Sequence, residues 1–133
     1  MTSCPCGVGE LASHCGPLLA GEPARTAVDL MRSRYTAYVL LQAGDGLAAD
    51  HLWRTWHPRT RPQVVEPSAG LRWTGLEVRD SQAGGPEDDE GVVAFAARWE
   101  TGDGPHHQSG EMRERSTFAR RGGRWVYVEG TTH

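Results

Sequence analysis

The sequence predicts an α+β fold in which helices pack on one face of a curved antiparallel sheet, behind an irregular N-terminal knuckle. Three observations carry this expectation. The first 25 residues are rich in Gly, Pro and Cys and follow neither helical nor strand spacing. Apolar residues then recur at three-four spacing from Ala27 to Leu41, which is the stripe of an amphipathic helix. From Leu71 onward the period falls to two, as a half-buried strand requires. A chain of 133 residues supports one compact domain with a real core and is too short for two. The division read from these shifts is a knuckle over 1–25 and an α+β domain over 26–133.

The first long helix opens at Thr26, an N-cap residue type, with Asp29 three positions on in the manner of a capping box. Its stripe is Ala27, Leu30, Met31, Arg34, Tyr38 and Leu41, bordered by Tyr35. Arg34 is the one misfit. Gly44-Asp45-Gly46 should end this helix. A second helix follows from about Leu47 to Trp56, with Leu52, Trp53 and Trp56 as its apolar side. Residues 57–70 carry Pro58, Pro62, Pro67 and Gly70 and read as loop.

Four strands are expected next, at Arg72–Ser81, Gly91–Thr101, about His107–Arg120, and Arg124–Gly130. The acidic run Glu87-Asp88-Asp89-Glu90 reads as a solvated connection, since hard-cation loops need a more defined ligand spacing. Gly102-Asp103-Gly104-Pro105 is a turn, and Arg121-Gly122-Gly123 a tight hairpin. Val93, Phe95, Ala97 and Trp99 share one face of the clearest strand. Val92, Ala94 and Ala96 share the other, so both faces should be partly covered, and a homodimer through the open sheet face is an expectation. Arg113/Arg115 and Arg120-Arg121/Arg124 read as the solvent side of two edge strands, with nucleic-acid contact as the alternative.

The net charge of −3 gives no global electrostatic case for nucleic-acid binding. No apolar run approaches the length of a membrane-spanning helix, so no membrane partner is expected. The N-terminus lacks the basic region and apolar stretch of a secretory signal, which makes the cytoplasm the expected location.

All three cysteines lie within the first fifteen residues. An odd number bunched at one end is a poor disulfide framework. Thiolates at short spacing suit zinc, and Cys4-x-Cys6 followed by His14-Cys15 offers a full tetrahedral set. Gly7 and Gly9 would allow the turn that brings the two pairs together. A set with no open position is structural rather than catalytic. The competing reading is free thiols on an irregular end, with His14 an exposed polar residue.

A second constellation concerns the interior. Arg34 falls within the helical stripe, and Glu114 shares its strand face with Met112, Ser116 and Phe118. A buried cation and a buried carboxylate each need a partner, so the two are expected to pair. The pair would either orient a ligand in an apolar cavity or set the register of helix on sheet. His57 is a candidate acid or base, or else a helix-end histidine bonding backbone carbonyls. Trp56, Tyr35, Tyr38 and Trp99 are candidate walls of an aromatic pocket.

Cys4-Pro5-Cys6-Gly7, closed by His14-Cys15-Gly16-Pro17-Leu18-Leu19, resembles the SEC-C metal motif, which is also found at the tail of the SecA translocation motor. Leu30-Met31-Arg32-Ser33-Arg34-Tyr35-Thr36-Ala37-Tyr38 resembles the bacterial YchJ family. Thr55-Trp56-His57-Pro58, Glu114-Arg115-Ser116 with Phe118, and Arg124-Trp125-Val126-Tyr127-Val128-Glu129-Gly130 fit the same family in the same order. The family's second ligand pair is usually two adjacent cysteines; here it is His14-Cys15. The resemblance implies a structural zinc site and a cone-shaped domain similar to nuclear transport factor 2. Enzymes of that wider group use Asp, His and Tyr inside the cone, but no residue here matches their motifs and no catalytic residue is assigned. The expected function is a zinc-containing binding or adaptor module whose knuckle meets a protein or RNA partner. The alternative is a small-molecule binder, or an isomerase- or dehydratase-like enzyme, using the cone.

Overall fold

A computed structural model describes residues 2–132. A short helix, α1 (Cys15–Leu19), lies in the knuckle and is followed by α2 (Ala27–Gln42) and α3 (Gly46–Arg54). Four strands complete the chain: β1 (Leu71–Ala83), β2 (Glu90–Thr101), β3 (Gln108–Arg121) and β4 (Arg124–Thr132). They form one antiparallel sheet in the order β1-β2-β3-β4. The α+β class and the helices-then-meander order are as the periodicity predicts. At five residues, α1 is too short to show a period, which is why the sequence reads there as irregular.

Local chemistry sets the helix ends. The Thr26 hydroxyl accepts from the Asp29 N–H at 3.0 Å, satisfying one of the orphan donors of the first turn of α2. Asp45 does the same for α3, accepting from the Leu47 and Ala48 N–H groups. At the other end Thr55 donates to the His51 carbonyl at 2.6 Å, so α3 stops before Trp56. The next residues then run beside β4: His57 N–H donates to Tyr127 O and Tyr127 N–H to Thr55 O, both at 2.7 Å.

Three bulges bend the sheet around α2. Two interrupt β1, between Trp73 and Gly75 and between Val78 and Asp80. The third falls at Thr117/Phe118 against β4. Each bulge adds a residue on one side of a ladder and sharpens the local twist. The concave face carries Val93, Phe95, Ala97 and Phe118, all buried. The convex face is laced by Glu77, Arg79, Glu111 and Arg113, joined in ion pairs of 3.0–3.3 Å, which lie over the buried Ala96. Strand β3 lies inside the sheet, so Arg113 and Arg115 are not on an edge strand as expected; the edges are β1 and β4. Arg120 is likewise no solvent-facing base. It stacks on Trp125 at 4.5 Å and donates to the carbonyls of Pro86 and Asp88, fastening the acidic β1–β2 connection.

The N-terminus of α2 is seated where β1 meets β2. Ala27 N–H donates to Gly84 O at 2.9 Å, and a Cβ on Gly91 would lie 2.6 Å from Gly84 Cα and 3.2 Å from Ala27 Cβ. Those are backbone and helix atoms with no slack. Gly91→Ala should therefore destabilise the fold by about 2 kcal/mol or more, read as a fall in the urea midpoint with an unchanged slope.

Candidate functional site

In the knuckle, Cys4 N–H donates to Gly9 O and Gly7 N–H to Cys4 O, both at 3.0 Å. Gly7 and Gly9 take φ of +90° and +65°, a turn that a side chain would strain. Gly16 N–H closes the second half on Leu11 O at 2.7 Å. The result brings Cys4, Cys6, His14 and Cys15 together, with their donor atoms all within 4.8 Å of one another. Cys6 Sγ and Cys15 Sγ are 3.8 Å apart, and His14 Nδ1 is 3.3 Å from each. No disulfide forms. This set can hold a metal ion.

The cluster is not a free lobe. Thr36 of α2 reaches Cys4 Sγ at 3.6 Å and Cys15 Sγ at 3.4 Å, and Arg32 donates to Cys6 O at 3.1 Å. The three cysteines pack into the same apolar core as Met31 and Phe95. Burial pushes the Cys6 and Cys15 thiols up. Burial also raises Cys4, but hydrogen bonds with His14, the Cys6 backbone and Thr36 outweigh it and bring that thiol down to about 6.

Between α2 and the concave sheet lies a cavity of about 260 Å³. Arg34, Tyr35, Tyr38, Trp56 and Glu114 line it, with Trp73, Ser116 and Tyr127. Arg34 is 6% exposed. It does not form the direct ion pair with Glu114 that the sequence suggests, since no carboxylate of the described residues lies within 4 Å of it. It donates instead to Leu52 O at 2.9 Å and Thr55 Oγ1 at 2.8 Å. Its guanidinium lies 4.9 Å from the centre of the Trp56 ring and 4.7 Å from that of Tyr127. A helix C-terminus and two aromatic faces thus carry the charge. Burial lowers its pKa, while Tyr38, Tyr127 and Glu114 act in the opposite direction.

Across the cavity, Glu114 accepts from the Ser116 hydroxyl at 2.5 Å. Gly130 makes room for that carboxylate, since a Cβ there would sit 2.6 Å from it. Burial pushes all three phenols of the lining up, Tyr127 to about 12 and Tyr35 and Tyr38 in the same direction. Two sequence candidates lie elsewhere. His57 is outside the lining, and its Nδ1 accepts from Arg59 N–H at 3.0 Å, capping a backbone donor rather than bonding carbonyls. Trp99 is on the concave face, but its ring covers Gly110 toward the end of the sheet, beyond the cavity wall.

His51 carries no motif or spacing that marks it in the sequence. It is 2% exposed, with Nε2 2.8 Å from the Ser33 hydroxyl. Ser33 Oγ also lies 2.8 Å from Leu30 O, so this hydroxyl joins the imidazole to the backbone of α2. Burial, then the charges of Arg34 and Arg54, lower the His51 pKa to about 3, with the Leu18 backbone opposing. The unfolded chain therefore takes up this proton first, near 6.5. Stability contributed by neutral His51 is complete above that pH and is lost as pH falls toward 3. His51→Gln, which keeps a polar atom near Ser33 but does not titrate, should flatten this limb of the stability–pH curve in urea titrations between these values.

A concave sheet wrapped on a long helix around an aromatic cavity, fronted by a thiol-rich knuckle, defines a nuclear-transport-factor-2-like domain with a SEC-C motif. The family model described as the YchJ middle NTF2-like domain matches residues 26–130, and the chain belongs to the YchJ family. A UPF0225 protein of Chromobacterium violaceum is 47% identical over 96% of this chain and 91% of its own length. One from Streptomyces coelicolor is 43% identical over 96% and 93%. The solution structure of a SEC-C motif containing protein from Rhodopseudomonas palustris superposes with a TM-score of 0.76 at 33% identity, covering 100% of this chain and 99% of that one. A crystal structure of a SEC-C motif containing protein from Psychrobacter arcticus shares the fold, with a TM-score of 0.67 at 22% identity over 98% and 82%.

Proposed function

We propose that the protein binds a small, largely apolar molecule in the cavity between α2 and the sheet, and that the knuckle is a structural zinc site. The carrying observation is the interior of the cavity. A core that served only to fold would close on a volume of about 260 Å³, because unfilled apolar space is destabilising. Here the space is kept open, walled by aromatic rings and crossed by a cation on one side and a carboxylate on the other. That is the composition that fixes a ligand's orientation. Arg34 spends Nη1 on Leu52 O and Thr55 Oγ1 and the Tyr38 hydroxyl lies against the same guanidinium, so the remaining N–H donors of the fork can meet an acceptor on the ligand. With the phenols held up by burial, Tyr35, Tyr38 and Tyr127 remain protonated at neutral pH and serve as donors rather than bases. The set supports binding; no proton-transfer step is assigned to it.

Naphthol, an aromatic body with one hydroxyl, is a suitable first probe. It should raise the melting temperature of the protein in proportion to occupancy. Met112→Trp, which fills the cavity from the sheet side, should abolish the shift. Gly130→Ala, which displaces the Glu114 carboxylate, should weaken it while changing stability little. A shift that survives in Met112→Trp would remove the cavity as the site.

Zinc is supported by the geometry of the donor set. Tetrahedral zinc–thiolate bonds of about 2.3 Å place sulfurs about 3.8 Å apart, and Cys6 and Cys15 have that spacing. Zinc would take four ligands and no substrate, and would supply folding energy to a segment with little to bury. Elemental analysis should find one zinc per chain, and Cys6→Ser should lose it and lower the melting temperature. The second reading, a partner-binding knuckle, rests on Val8, which is 42% exposed at the turn. It fails if Cys6→Ser leaves every co-purifying protein and RNA unchanged.

A further inference from the structure

A second cleft, of about 230 Å³, lies on the other side of Trp56. It is bounded by the end of α1 and residues 21–24, the end of α3, residues 58–61 and the β3–β4 hairpin. Its lining includes Arg54, Arg61, Arg121 and Arg124 against a single carboxylate, Glu22. We propose that this cleft binds a small phosphorylated molecule, gripped at its phosphate by those four arginines.

The chain carries more acids than bases, 17 against 14, so partners for arginine are plentiful. Elsewhere, Arg72, Arg79 and Arg113 are ion-paired, Arg34 and Arg120 are stacked on aromatic rings while capping carbonyls, and Arg25, Arg59, Arg98 and Arg115 stand apart from this cleft; what distinguishes the cleft is that four arginines line one space. Among the described residues, none of the four cleft arginines has an acidic partner. Arg124 spends one donor on Gly21 O at 3.2 Å, and Arg61 one on Trp53 O at 3.4 Å. Arg61 is also stacked on the exposed Trp53 ring. No side-chain hydrogen bond to a described residue ties Arg54 or Arg121. Like charges drawn from three separate stretches of chain repel unless an anion joins them.

Between its arginines the wall of the cleft is largely apolar, with Leu18, Pro23, Leu30 and Pro58. Trp56 and Trp125 line the same space and offer apolar surface to the body of a ligand. Several guanidinium forks against one carboxylate favour a multiply charged oxyanion over a monocarboxylate. The enclosed volume suits a small molecule rather than a polymer backbone. This site is separate from the apolar cavity and does not depend on its ligand.

The test is calorimetric titration of the whole protein at low salt with pyrophosphate, inorganic phosphate and acetate. Pyrophosphate should bind more tightly than phosphate, and acetate should not bind. Arg54→Gln and Arg121→Gln should each weaken pyrophosphate at least about tenfold, while Arg113→Gln on the convex face should leave it unchanged. The melting temperatures of both variants without ligand should match the parent, since neither side chain ties the fold. Absence of heat with pyrophosphate at millimolar concentration, or an affinity in both variants equal to that of the parent, overturns the proposal. So does a single-stranded RNA oligomer that binds through the same arginines and is not displaced by pyrophosphate.

Discussion

The buried charge of Arg34 is the constraint around which the domain is arranged. A guanidinium removed from water must recover its solvation from fixed dipoles or a counter-charge. It does so at a point where α2, α3, β4 and the segment after α3 meet. It leaves α2, bonds the C-terminal carbonyl of Leu52 and the Thr55 hydroxyl at the end of α3, and lies over the edge-to-face pair of Trp56 and Tyr127 of β4. The end of α3 could not shift, nor Trp56 rotate, without stranding this cation. Because the charge is met by a helix terminus and two ring faces, Glu114 across the cavity is left to bond Ser116. The interior therefore keeps two polar groups of opposite sign facing shared space.

Helix α2 is the common support of everything around it. Thr36 touches the thiol cluster, Ser33 the buried His51, and Arg34 and Tyr38 the cavity. A helix that serves three polar tasks cannot show a clean apolar stripe, and the sequence of α2 does not. Its polar residues at inward positions are the trace of those tasks. Trp56 plays a similar double part between the apolar cavity and the arginine-lined cleft.

Much of this was legible in the residues. The Cys and His spacing, the Thr26 cap and the change of period at Leu71 are local patterns, and local geometry decides them. Arg34 was visible as a misfit, but its partner was not. The sequence points to Glu114 as the available opposite charge, whereas backbone carbonyls and ring faces have no signature in a strand or helix pattern. Trp99 alternates correctly onto the concave face, yet alternation says nothing of how far along the strand a cavity extends. Tyr127 is one residue among several apolar ones in the last strand; its place opposite Phe118 follows from a register shift at Thr117/Phe118 that period-two reasoning steps over. His51 stands next to Leu52 on the same helical side, and only the packing of α3 on α2 turns it into a buried neutral imidazole. The arginines of the cleft come from segments up to seventy residues apart in the chain, so their convergence exists only in three dimensions.

The bulges of β1 have a further consequence, for self-association. An open strand edge is a template on which another chain can add. Here β1 and β4 are the two edges, and neither is a straight ribbon. Strand β1 is broken twice, at Trp73/Gly75 and Val78/Asp80, with Arg72, Glu77 and Arg79 along its length. Strand β4 is shielded by residues 55–60, which take the Tyr127 amide and the carbonyls of Tyr127 and Val128. The same devices that curve the sheet around its cavity also guard its two outer strands against edge-to-edge polymerisation.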